Sequence, residues 1–198
     1  MKFKHSVVII ALLSVTSIAH AEQKPLEEGV IGKQVQRQSD ACKFDIKFSS
    51  ESTQRAQQLK IAPNVNLNLK QFIATKQVNA ANISSNVICQ QLIGQSYTGS
   101  EQEWQGFIKN GLDGLLKAGF KELQYTKVGT DDAVYQGGLD NMEYIFTGTI
   151  GVNKQIIHNL AVLDKKNNQV ITLSVSGNEV VSQEIKEEYQ RLIGSFSL

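Results

Sequence analysis

Three stretches near the end of the chain alternate apolar and polar residues with a period of two, and this alternation constrains the fold more than any other feature. Residues 141–150, 156–163 and 170–175 each switch sides in the way a strand with one buried face requires. Between them, residues 151–155 and 164–168 are rich in the Gly, Asn, Asp and Lys that tight turns favour. Val181, Ile185, Tyr189, Leu192, Ile193 and Phe196 then recur at helical spacing, and Glu184, Glu187 and Glu188 with Lys186 and Arg191 read as the outer face of that helix. A curved antiparallel sheet with a helix packed on it buries both sets of apolar residues.

Upstream, Cys42, Phe44, Ile46 and Phe48 alternate with Lys43, Asp45 and Lys47 and read as a first strand. Residues 49–60, rich in Ser and Gln, read as a short helix around 53–59 that ends before Pro63. Residues 64–78 start as an alternating strand and break the pattern at Phe72 and Ile73. A bulged strand competes there with a strand running into a helical turn, and extended structure fits better. Residues 79–86 read as a turn. In residues 87–97 both alternating sets carry apolar side chains, which implies a strand covered on both faces and central in the sheet.

Residues 100–119 form the clearest helix. Ser100 and Glu103 have capping-box spacing. Trp104, Phe107, Ile108, Leu112, Leu115 and Leu116 make one apolar stripe, and Trp104 reads as a core residue. Gly119 followed by Phe120 is a stop signal. Gly106, Gly111 and Gly114 lower helix propensity and allow close packing on the sheet. Residues 122–128 read as another strand and 129–140 as a loop.

Lys2 and Lys4, an apolar run at residues 7–15 and Ala19-His20-Ala21 read as a secretory signal peptide cleaved after Ala21. The run is shorter than the roughly 20 residues of a membrane span. No cysteine follows the cleavage point to carry a lipid, so the mature protein is expected in the periplasm or the extracellular medium with no membrane anchor. The expected organisation is a signal peptide at 1–21, a flexible polar lead-in at 22–41 and a single α+β domain at 42–198. Loss of Lys2 and Lys4 takes the formal charge from +1 to −1, which gives no electrostatic reason to expect nucleic acid or an anionic membrane as partner. Cys42 and Cys89 both fall in the exported part and read as a structural disulfide between two strands, with two buried free thiols as the alternative.

His158 is the one histidine beyond the signal peptide and falls in an alternating strand. A zinc site needs three or four ligands, and the chain has no HxH or HExxH pair, so His158 reads as a core or edge residue. Asp131, Asp132 and Asp140 lack the spacing of an EF-hand. Their loop reads as solvated and, with Tyr135, as the candidate partner-binding surface: Asp131, Asp132, Tyr135 and Asp140. There is no GxSxG elbow and no glycine-rich phosphate loop. No catalytic, cofactor-binding or metal-binding residue is assigned, and no cofactor is expected.

From residue 87 the order is strand, capped helix, strand, three-stranded meander and helix, ending in Leu192-Ile193-Gly194-Ser195-Phe196. This resembles the Mog1/PsbP-like superfamily, including exported bacterial proteins related to DcrB, whose members commonly end in a helix running into a Ser-Phe pair. The resemblance covers residues 42–198 and implies an α/β/α sandwich with an antiparallel sheet between helices. It also implies an accessory or binding role with no shared catalytic constellation. Two features depart from it: the exported members are often lipoproteins, and the cysteine pair is not a family hallmark. The resulting expectation is an exported non-enzymatic protein that binds a protein partner. The alternatives are an exported hydrolase with a dispersed active site and a carrier that holds a small ligand in the apolar space between sheet and helix.

Overall fold

The computed structural model describes residues 42–198; the signal peptide expected at 1–21 and the lead-in at 22–41 lie outside the described residues. Seven strands form one sheet: β1 (Ser52–Ala62), β2 (Val65–Val78), β3 (Ala81–Ile93), β4 (Lys121–Lys127), β5 (Asp140–Ile150), β6 (Asn153–Asp164) and β7 (Gln169–Asn178). Their order is β1-β2-β3-β7-β6-β5-β4, and every neighbouring pair is antiparallel. Helix α1 (Glu101–Lys117) carries the chain from β3 to the far edge, and the meander then returns until β7 pairs with β3. Helix α2 (Ser182–Gly194) follows β7. The fold is α+β.

Each face of the sheet has its own core. On one side Leu67, Ile88, Phe146 and Leu163 pack with Phe107, Ile108 and Leu115 of α1. On the other, Val87, Leu160, Leu173 and Val175 pack with Ile185, Tyr189 and Leu192 of α2. As expected, β3 is central, and its two alternating sets feed the two cores. It stops at Ile93, however, and Tyr97 is buried on the α1 side in the connection to that helix. The meander strands β6 and β7 are buried on both faces over most of their length. Their polar alternates Asn159, Thr172 and Ser174 therefore do not face bulk water, contrary to the half-buried reading of the alternation.

The ends of α1 follow local chemistry. Ser100 Oγ accepts from the Glu103 N–H at 3.3 Å, and the Glu103 carboxylate reaches back to the N–H groups of Gly99 and Thr98 at 2.7 and 2.9 Å. At the other end Gly119 has φ +92°, the Phe120 N–H donates to Leu115 O and the Gly119 N–H to Leu116 O, which is a Schellman arrangement. Of the interior glycines, Gly111 sits where a Cβ would meet the Phe146 ring at 3.2 Å, whereas Gly106 faces open space. Close packing thus accounts for Gly111 and not for Gly106.

Four expectations are corrected. Residues 49–60 do not form a helix: β1 is an edge strand whose residues 52–58 are exposed on both faces, so no burial period marks it, and its ladder with β2 decides its conformation. The turn expected at 79–86 is confined to Asn79 and Ala80, both with positive φ (49° and 62°), as a two-residue hairpin of the primed type requires. Residues 43–48 run on from Cys42, which has φ +60°, and are not a strand of the sheet. Cys42, Phe44, Ile46 and Phe48 pack into the α2-side core, and the segment pairs at Asp45 with Ser197 through bonds of 2.9 and 3.1 Å. The disulfide Cys42–Cys89 exists, with Cα atoms 5.7 Å apart, but it ties this segment to β3 and does not join two strands.

Candidate ligand groove

The α1 side of the sheet changes character part-way along its strands. On β2, Leu67 and Leu69 give way to Gln71 and Thr75; on β3, Leu92 and Ile88 give way to Asn86 and Ser84. On β7, Val170 gives way to Thr172, Ser174 and Ser176. In register, Asn86 lies opposite Ser174 and Ser84 opposite Ser176, so these switches fall side by side. Helix α1 covers the apolar half. Beyond its C-terminal end the sheet forms the floor of an open groove of about 580 Å3.

The floor is polar and mostly neutral, with Gln71, Ser84, Asn86, Ser174, Ser176 and Gln155 lining it. Ile73 and Ile150 supply apolar surface in front of the nearly buried Leu115, Phe120 and Ile157, and Arg55 and Glu51, from β1 and the residue before it, supply one charge of each sign. Side-chain hydrogen bonds between strands hold part of the floor in place. Gln71 Nε2 donates to Asn86 Oδ1 at 3.0 Å, Ser174 Oγ to Asn159 Oδ1 at 2.8 Å, and the hydroxyls of Thr75 and Ser84 lie 3.3 Å apart. The volume falls in the range of about 300–1,000 Å3 typical of small-molecule sites. Under α1 on the same face, Gln90 Oε1, Thr172 Oγ1 and Tyr97 OH are buried with no hydrogen-bond partner among the described residues.

The α2 side holds the buried carboxylates. Glu188 receives Lys76 Nζ at 2.7 Å, Ser85 Oγ at 3.2 Å and Arg191 Nε at 3.0 Å. Burial alone would raise its pKa, but hydrogen bonds from Arg191, Lys76 and Ser49 and the guanidinium charge outweigh burial and hold it at about 2. Glu143 accepts from Tyr189 OH at 2.9 Å and from the Tyr135 N–H at 2.6 Å. Burial first, then the Glu143 charge, raises the Tyr189 phenol far above its ordinary value.

Residues singled out in the sequence sit elsewhere. His158 lies on the α2 side, its ring centroid 5.3 Å from that of Tyr189, with its pKa lowered by burial and by Lys186. It is thus on the opposite face from the groove serines. Asp131 and Asp132 are exposed on the 3-10 turn Thr130–Asp132. Tyr135 packs towards Phe196 with ring centroids 6.3 Å apart, and Asp140 pairs with Lys165 at 2.6 Å. The four loop residues therefore do not converge on one cluster. Trp104 packs edge-on against Phe107 and is only partly buried, at the margin of the α1-side core. No group of three metal-ligating side chains occurs among the described residues, and none of their helices is long and apolar enough to cross a membrane. The groove residues escaped sequence reading because each is an ordinary polar alternate, and only the strand register lines them up.

No protein-family model matches the sequence, and no curated protein does. Among solved structures, the chain is similar to LpqN, described as involved in cell envelope biogenesis of Mycobacterium tuberculosis. The identity is 8%, the match covers 78% of this chain and 90% of that one, and the TM-score is 0.39. A likeness at that level carries no argument about fold or function.

Proposed function

We propose that the chain is an exported, non-enzymatic accessory protein of Mog1/PsbP-like architecture that works by binding, and that its ligand sits in the groove beyond α1. The observation that carries this reading is the groove itself, a polar floor with an apolar wall and a pre-set hydrogen-bond network. Export, with residence in the periplasm or medium after signal cleavage, is supported by the Cys42–Cys89 disulfide. A serine hydrolase with His158 as its base is disfavoured, because His158 lies on the opposite face from the groove serines. The carrier reading placed its ligand between sheet and helix, where Phe107, Leu115 and Phe146 already fill the space.

The test compares the wild type with Ser176→Trp, which fills the groove. Both are used to capture material from periplasmic extract and culture medium, with bound species read by native mass spectrometry. A species retained by the wild type and lost by the variant is the expected result; identical profiles from the two would reject the groove. A second reading places a basic protein partner on the 129–140 loop, favoured by the exposure of Asp131 and Asp132 on a turn anchored through Tyr135 and Glu143. In that case Asp131→Lys/Asp132→Lys loses the partner and Ser176→Trp keeps it.

A further inference from the structure

We infer that the groove takes a neutral, polyhydroxylated ligand with one apolar face, that is, a short saccharide; this rests on the groove being the binding site. Charge is the first discriminator. Among the described residues lining the groove, the single cation Arg55 is balanced by Glu51, so an anionic ligand such as a phosphate ester gains no net attraction. An acyl chain would leave the floor amides and hydroxyls facing hydrocarbon, each at the cost of an unmade hydrogen bond. A peptide recognised as an added strand needs free main-chain donors and acceptors. Beneath the groove those of β2, β3, β7 and β6 are spent in continuous ladders with both neighbours, which leaves, among the described residues, only the outer edge of β1, at the rim with Thr53 and Arg55, open to a strand; the peptide arm of the titration below tests that edge.

What the floor does offer is groups that both donate and accept. Asn and Gln amides present two N–H donors beside a carbonyl, and Ser hydroxyls present a donor and two lone pairs. A sugar hydroxyl has the same dual character, so it can join a network of this kind without stranding a donor or an acceptor. Gln71 and Asn86 are already oriented by their mutual bond, and Ser176 and Gln155 have no side-chain partner among the described residues. The C–H face of a pyranose ring fits the apolar surface of Ile73 and Ile150, the partly exposed apolar residues of the lining, behind which Leu115, Phe120 and Ile157 are nearly buried. The volume of about 580 Å3 suits a short oligosaccharide better than an ion.

The experiment is a titration of the oxidised, 15N-labelled mature chain with maltotriose and with triacetylchitotriose. An N-acetylated tetra-alanine amide and inorganic phosphate are run in parallel, and the readout is the backbone amides together with the side-chain NH2 groups of Gln71, Asn86 and Gln155. The expected result is a saturable shift of these groups with at least one sugar. Asn86→Leu should weaken it by about tenfold, as loss of one or two hydrogen bonds implies, and Ser176→Trp should abolish it. The amides of α2, on the opposite face, report that each variant is folded. A sugar response that survives Ser176→Trp overturns the inference. If the peptide or phosphate shifts the same groups and neither sugar does, the saccharide class falls and the groove reading stands. If none of the four probes shifts them, both fall.

Discussion

Glu188 keeps a negative charge where only 2% of its surface meets water, with Lys76, Ser85 and Arg191 on its oxygens. Its folded pKa of about 2 lies below the ordinary 4.5, so its contribution to stability is complete above 4.5 and is lost as pH falls through about 2. Glu188→Gln leaves two half-exposed cations without their anion and should cost about 2–3 kcal/mol at pH 7. Urea melts at pH 7 and near pH 2.5 check this, because the gap between wild type and variant must narrow in acid. Little of this was visible in the chain. Glu188 sits beside Glu184 and Glu187, and all three read as the outer face of the last helix. Its burial comes from the long-range approach of β2 and β3. Glu143 misleads in the same way, a polar alternate in a strand that proves 4% exposed because Tyr189 and the 129–140 loop close over it.

At the scale of elements, legibility followed how local the cause is. The caps of α1 are settled within a few residues, and both matched expectation. Ser100→Ala should therefore lower stability by about 1 kcal/mol, read as a shift in the urea midpoint with an unchanged slope. Strand β1 was misread because an edge strand exposed on both faces has no burial pattern to display. The seat of α2 on β7 depends on a contact that no period announces. A Cβ on Gly177 would lie 2.8 Å from the Asn82 carbonyl oxygen and 3.0 Å from Ile185 Cδ1, and Ile185 is fully buried. Gly177→Val should push α2 off the sheet and destabilise by about 1–3 kcal/mol, the usual effect of overpacking. Near-ultraviolet circular dichroism follows Tyr189 during that change. The groove was illegible for a related reason: Ser84, Asn86, Ser174 and Ser176 belong to strands that are distant in sequence and meet only through the β3–β7 pairing that closes the sheet.

Across the whole molecule, the two faces divide the labour, with the groove on the α1 side and the covalent closure on the α2 side. The disulfide pins residues 42–48 over the sheet beside α2. The Lys47 carbonyl there accepts from Arg191 Nη1 at 2.8 Å, the Lys47 N–H donates to Ser195 Oγ, and Asp45 bridges Ser197. Beneath it a buried relay runs from the Cys42 N–H to Gln169 Oε1 at 2.7 Å and from Gln169 Nε2 to Asp164 Oδ2 at 2.9 Å. The cysteines are 47 residues apart in sequence, and the chain-entropy model assigns a closed loop of that length roughly 4 kcal/mol. Phe44 stays attracted to Phe72 and Phe196 without the bridge, so reduction should loosen the segment before it unfolds the sheet. In the Cys42→Ser/Cys89→Ser variant, hydrogen exchange should therefore quicken first at Asp45, Lys47 and Ser197, with global stability lower by about 4 kcal/mol. Amides of Ser84, Asn86 and Ser174 should exchange only through global unfolding: Cys89 shares their ladder, but its main-chain pairing with Ile171 needs no contact with residues 42–48. Early loss of protection in the groove strands would mean that the disulfide shapes the groove, and that the two faces are not separable.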